Sequence, residues 1–275
     1  MTIDSHQHFW IFDPIRDSWI TPEMAVIQRN FLPEDLKPVL DANDIDGCVA
    51  VQADQSDSET TFLLQLADAN EFIKGVVGWI DLRSNSLYDR LERYTLYEKL
   101  KGFRHVAQGQ PEGFLLQPDF VKGVGQLAAF DLTYDILVYS NQLKEAFTFA
   151  AQLPNVRFVL DHIAKPFIKK GDLEPWSKDI RKLAELPNVS CKISGMVTEA
   201  FWFDWKSSHF EPYLNVVFEA FGTKRIMFGS DWPVCLVASE YSSMLGIIND
   251  YIDPFSLTEK KCILGENAAS FYQLE

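Results

Sequence analysis

The chain has 275 residues, 47% of them hydrophobic, and a formal net charge of −14. This length and composition fit one barrel-sized globular domain over 1–275, with enough apolar residues for a sizeable core. The acidic balance argues against nucleic acid or an anionic membrane as partner, since both require basic surfaces.

No apolar run approaches the ~20 residues of a membrane-spanning helix. Nothing at the N-terminus reads as a secretory signal, so a cytoplasmic location is expected.

In chain order, the first predicted strand covers residues 2–5 and runs straight into His6-Gln7-His8. Two residues apart, those imidazoles project to the same side of extended backbone. A long segment, 9–31, follows and carries Trp10 and Trp19. Further strands are predicted over 47–52, 75–80, 102–106, 134–138, 156–160, 189–193 and 225–228, all short and rich in Val, Ile, Phe and Leu. Strands buried on both faces of a parallel sheet read this way.

The intervening segments carry helical period. Phe62, Leu63, Leu66 and Ala67 share a face behind a capping-box spacing at Ser56 and Glu59. Phe120, Val124 and Leu127 form a second stripe, Leu143, Phe147 and Ala150 a third, Leu214, Val217 and Phe221 a fourth, and Ala268, Phe271 and Tyr272 a fifth. Eight strands alternating with helices favour a single closed (β/α)8 TIM barrel. Neither G-x-G-x-x-G after the first strand nor G-x-x-x-x-G-K-[ST] is present, so nucleotide sites lack their fingerprints. A second long segment, 195–210, carries Phe201, Trp202, Phe203 and Trp205. Both long segments leave C-terminal strand ends, where barrel enzymes keep their sites, and aromatic loops there suit a lid over a ring-shaped ligand. Cys48, Cys191, Cys235 and Cys262 are widely spaced and contain no C-x-x-C, so they read as reduced thiols.

Polar residues punctuate the strand ends: His6 and His8 at the first, Arg104 and His105 at the fourth, Asp161, His162 and Lys165 at the sixth, and Asp231 at the eighth. In a closed barrel the first and eighth strands adjoin, which puts Asp231 beside His6 and His8. Singly, each residue has an ordinary alternative as a cap, a turn acid or a solvated charge. His209, before a helical stretch, is left in that ordinary class. Jointly they point to one shared site.

The runs D-S-H-Q-H-F-W, G-F-R-H, D-H-I-A-K-P, G-S-D-W-P and I-L-G-E-N-A-A-S-F-Y span residues 4–272 and resemble the amidohydrolase superfamily. The nearer resemblance is to its TIM-barrel lactone hydrolases, which act on L-fuconolactone, L-rhamnonolactone or dicarboxylate lactones. It implies a hydrolase that opens a small sugar lactone, with Asp231 activating water. It also implies one divalent ion, zinc by its ligands, held by His6, His8 and Asp231, with His105 or His162 as a further ligand. A two-metal site is disfavoured, because Arg104 and His105 stand where a bridging lysine or carboxylate is usual, and Tyr139-Ser140 where a histidine ligand is usual. On this reading His162 or His105 binds the carbonyl or protonates the leaving oxygen. Arg104 and Lys165 contact substrate oxygens, and Trp10 and Trp205 stack on the ring. The competing readings are a metal-dependent decarboxylase of the same superfamily and a non-catalytic carbohydrate-binding barrel. Exposed helix faces could support a homodimer.

Overall fold

Eight parallel strands lie in sequence order around a barrel: β1 (Ile3–Gln7), β2 (Gly47–Val51), β3 (Ile73–Gly78), β4 (Leu100–Val106), β5 (Thr133–Leu137), β6 (Phe158–Leu160), β7 (Val189–Ile193) and β8 (Ile226–Phe228). The computed structural model describes residues 1–275. Each predicted strand is present, its ends moved by only a few residues. The outer ring is built from α1 (Pro33–Ala42), α2 (Asp57–Ala69), α3 (Leu87–Tyr94), α4 (Pro118–Gln126), α5 (Leu143–Ala151), α6 (Trp176–Ala184), α7 (Glu211–Phe221) and α8 (Tyr241–Ile252). With its interior filled and its outside covered by helices, the sheet is buried on both faces, which is why its strands are almost continuously apolar. This is the (β/α)8 TIM barrel expected from the sequence. No helix is long and apolar enough to cross a membrane.

Half of the anticipated capping box forms. Ser56 Oγ accepts the Glu59 N–H at the start of α2. Glu59 instead turns its carboxylate onto the N–H groups of Ala53 and Asp54, 3.0 and 3.4 Å away, and so ties down the β2–α2 loop.

The seam between β1 and β8 is held differently from the other strand pairs. The Gln7–Trp232 bridge is extended by two backbone bonds, His8 N–H to Trp232 O at 2.7 Å and Asp231 N–H to His6 O at 2.8 Å. Side chains complete the closure. Ser5 Oγ donates to Phe228 O at 2.6 Å, and the buried Asp4 carboxylate accepts from Ser230 N–H at 2.8 Å and Tyr241 Oη at 3.1 Å. Burial pushes the Asp4 carboxyl up to about 6.

Inside the barrel, Ile3, Val49, Val51, Val77, Val159 and Met227 pack with Ala268 and Tyr272 of the C-terminal helix as an apolar floor. His6 also faces inward, three residues after Ile3, against the strict alternation of a strand. A register irregularity in β1 between Asp4 and Gln7 provides the change of phase.

Above the floor lies a charged layer that the sequence reading missed. Fully buried Lys192 of β7 reaches Asp135 Oδ2 of β5 at 2.5 Å and Asp161 Oδ1 at 3.0 Å, and Tyr272 Oη donates to Asp135 at 2.8 Å. The only sign of it in the sequence was a lysine and an aspartate inside otherwise apolar strands. Desolvation raises the Asp135 carboxyl to about 6, although Lys192 opposes the shift.

Candidate active site

The imidazoles and carboxylates gather directly above this layer, at the C-terminal mouth. His8 Nε2 is 3.3 Å from Asp231 Oδ1, with His6 Nε2 at 3.9 Å and His162 Nε2 at 3.8 Å from the same oxygen. All four side chains are buried. His6 and His162 lie 4.4 Å apart between ring centroids, and His6 and His8 5.0 Å.

Backbone strain marks this cluster. His162, Ile163, Ala164 and Lys165 all have positive φ, between 47° and 59°, as does Asp231 at 59°. Non-glycine residues, and above all β-branched Ile163, avoid this region unless the surroundings over-determine it. Ile163 is anchored by Trp176 Nε1, which donates to its carbonyl at 2.7 Å. The left-handed turn aims both His162 and Lys165 into the same cavity. Gly195 makes room for it, since a Cβ there would lie 2.6 Å from His162 Nδ1.

Hydrogen bonds set the tautomers. His8 Nδ1 is 2.7 Å from Val51 O; a carbonyl only accepts, so Nδ1 carries a proton and Nε2 is left to face Asp231 Oδ1. His162 Nδ1 pairs with Ser194 Oγ at 2.9 Å. His6 sits between two cations, Arg104 Nη1 at 3.1 Å from Nε2 and Lys192 Nζ at 3.1 Å from Nδ1. Asp161 Oδ1 lies 3.2 Å from His6 Nδ1, off the axis of an aligned hydrogen bond. Burial, then Lys192 and Arg104, hold His6 well below the ordinary histidine range, so it stays neutral. Burial also depresses His162. Asp231 is desolvated, but His162 and His8 outweigh that and keep it below the usual carboxylate range, hence ionised.

A cavity of about 290 Å³ opens over these groups, lined by His8, Arg104, His162, Lys165 and Asp231 and walled by Arg16, Asp17, Trp19, Asp54, Gln55 and Gln108. A larger open depression, about 660 Å³, lies around Lys37, Asp46 and Lys74 and holds none of the clustered side chains.

Three expected members are elsewhere. His105 is next to Arg104 on β4, so strand alternation sends it outward, where Trp79 Nε1 donates to its Nδ1 at 3.2 Å and its ring stacks on Phe114 at 5.0 Å. Trp10 is 2% exposed and lies under the cavity wall. Its Nε1 donates to Arg29 O at 2.8 Å, and its ring packs edge-on against Trp19, 5.9 Å away. Trp19, expected only as one of the lid aromatics, takes the exposed position on the cavity wall. Trp205 packs on Phe210 at 5.4 Å and donates to Ala238 O at 3.0 Å; no residue of 195–210 lines the cavity. That loop is packed down or faces solvent, so of the two long segments only the first borders the cavity. His209 caps a short turn, with its Nδ1 accepting the Lys206 N–H at 3.3 Å.

The donor set suits one cation. His8 Nε2 and the ionised Asp231 Oδ1 face each other at 3.3 Å, a separation bridged by a proton on Nε2 or by a metal ion in its place. The separations of 3.3 and 3.9 Å from Asp231 to His8 and His6 bracket the ligand–ligand edge of a tetrahedral zinc site, roughly 3.4 Å for bonds near 2.1 Å. The second possible group, His6, Asp161 and His162, does not suit another ion, because Arg104 and Lys192 already stand 3.1 and 3.0 Å from Asp161.

Barrel and site together define a hydrolase of the amidohydrolase superfamily. Residues 3–274 match the amidohydrolase family, and the chain belongs to it. It is 39% identical to an L-fucono-1,5-lactonase of Burkholderia multivorans, over 100% of this chain and 96% of that protein. It is 33% identical to an L-fucono-1,5-lactonase of Burkholderia ambifaria, over 99% and 96%. A crystal structure of a Burkholderia multivorans amidohydrolase with bound zinc superimposes with a TM-score of 0.97, at 39% identity and with both chains fully covered.

Proposed function

We propose that this hydrolase opens a sugar-acid lactone by attack of water, with Asp231 as general base. The observation that carries the reading is the ionised, buried Asp231 at the base of a polar cavity, with three imidazole nitrogens within 3.9 Å of one oxygen. The full-length likeness to two L-fucono-1,5-lactonases supports the substrate class.

Opening a lactone needs a deprotonated water, a polarised carbonyl and a proton for the departing alkoxide. Asp231 accepts the proton from water. His8, fixed as the Nδ1–H tautomer, shares that proton through Nε2. His162 and Arg104, both on the cavity wall, stabilise the oxyanion as the carbonyl carbon becomes tetrahedral. Lys165 supplies a proton donor to the leaving oxygen. Neutral His6 is not a proton donor; protonating it would bring a third positive charge beside Arg104 and Lys192. A zinc-like ion held by His6, His8 and Asp231 would supply Lewis acidity at the same place. Trp19 offers a flat face to the ring, and Arg16, Asp17 and Asp54 offer polar contacts to hydroxyls.

A panel of fucono-, rhamnono-, galactono- and xylono-lactones and a dicarboxylic lactone, read with a pH indicator, tests the proposal. Acid release with saturation on at least one sugar lactone is expected. A protein that turns over none of them, or that releases CO2 from an unsaturated acid instead, is not a lactonase of this kind. Elemental analysis of fresh protein, followed by activity after chelation, decides whether the ion is required.

A further inference from the structure

The side chain of Arg104 is unusually committed for a residue on a cavity wall. Its guanidinium donates to Gln52 O, to Asp161 Oδ2 at 3.1 Å, and to His6 Nε2 at 3.1 Å, while its Nε–H has no partner. The contact to His6 matters most: Arg104 and Lys192 only donate and a neutral imidazole accepts at one nitrogen, so with Nε2 as the acceptor the ring proton sits on Nδ1, on the side of Asp161 Oδ1. A neutral imidazole has one lone pair in the ring plane, and a nitrogen that accepts a hydrogen bond along that direction cannot bind a metal through the same electrons. His6 Nε2 is also the His6 nitrogen that approaches Asp231, at 3.9 Å from Oδ1.

We infer that Arg104 and a divalent cation are mutually exclusive partners of His6 Nε2, so that the guanidinium is a resident competitor that weakens metal binding at the His6–His8–Asp231 cluster. Two effects act together. The ion has to break the Arg104–His6 hydrogen bond, and it has to approach a guanidinium held close by in a medium of low dielectric. Arg104 has somewhere to go, because it borders the open cavity shared with His8, His162 and Lys165. Lys192, on the other side of the ring, has no such exit: it is fully buried and tied to Asp135 and Asp161. The exchange therefore falls to Arg104. This inference rests on the cation site and not on the lactone reading, and it is measured without substrate, so the two can fail separately.

The test is the zinc affinity of metal-stripped protein, measured by competition with a chromophoric chelator. Arg104→Met removes the competitor and should bind zinc at least about tenfold tighter than wild type, equivalent to roughly 1.4 kcal/mol. Arg104→Lys keeps a cation for Asp161 if the Met variant does not fold, and is too short to hold the same bond to His6; it should also bind tighter than wild type. Circular dichroism establishes that each variant is folded. Crystals of wild type grown with and without zinc give a second readout, with Arg104 expected to leave His6 when zinc is bound. Unchanged or weaker zinc binding in a folded variant overturns the inference, as does zinc seated in the cluster with Arg104 still bonded to His6 Nε2.

Discussion

Arg104 and His105 are consecutive residues whose side chains lie on opposite sides of the barrel wall. Arg104 Nη1 is 3.1 Å from His6 Nε2 in the interior, whereas His105 accepts from Trp79 Nε1 on the outside at 3.2 Å. Burial lowers the His105 imidazole to about 4, so it is neutral and acts as a packing residue. His105→Leu should leave kcat/KM near wild type and cost about 1–3 kcal/mol in urea unfolding, through the unsatisfied Trp79 donor. A hundredfold loss of turnover would return His105 to the chemistry.

Asp231→Asn removes the base without changing shape. It should lower kcat by a factor of about 100 or more, the lower range for general-base catalysis, with an unchanged circular dichroism spectrum. Lactone hydrolysis at close to the wild-type rate would show that another group deprotonates water.

Lys192 neutralises the layer beneath the histidines. Lys192→Met leaves Asp135 and Asp161 facing each other without it, and should cost about 3–5 kcal/mol by urea unfolding. Adding Asp135→Asn should restore part of this loss, because one of the stranded charges is then gone. A double variant as unstable as the single one would mean that packing, not charge, explains the effect.

Glu59 provides a pH signature. Burial raises its carboxyl from an ordinary 4.5 to about 7. With the folded-state pKa above the unfolded one, its contribution to stability is complete below about pH 4.5 and is lost as pH rises through 7. Glu59→Gln keeps the acceptor for Ala53 and Asp54 but cannot ionise. Melting temperatures of wild type and variant at intervals from pH 4.5 to 8 should diverge, with the variant gaining relative to wild type as pH rises. Parallel curves would show that Glu59 is solvated well enough to ionise freely.

The two tryptophans of the first long segment separate stability from binding. Trp10→Ala should cost about 3–5 kcal/mol in folding, the range for a large buried aromatic. Trp19→Ala should spare the fold and raise KM by roughly 2–10-fold, the value of one stacked aromatic at about 0.5–1.5 kcal/mol. A KM unaffected by Trp19→Ala would place the ring elsewhere in the cavity.

Periodicity alone made the barrel legible, because strands buried on both faces must be apolar throughout and helices on the rim must be striped. The pairing of His6 and His8, and their nearness to Asp231, also followed from the sequence once closure of β1 onto β8 was assumed. Helix α6 was not anticipated, although Trp176, Ile180 and Leu183 form a buried stripe at i, i+4 and i+7.

What the linear chain could not supply was direction. Whether Arg104 or His105 enters the barrel depends on the phase of β4, and the placing of His6 on the same side as Ile3 depends on an irregularity within β1. Trp19 rather than Trp10 reaches the cavity because Trp10 is held down by its backbone bridge to Phe31 and its ring packs on Phe31 and Trp19. Lys192 and Asp135 look like flaws in apolar strands until closure of the barrel brings them together. Residue type and spacing determine which chemistry is available, but only a closed tertiary structure decides which side chains share one desolvated space, since burial and contact are properties of distance and not of sequence order.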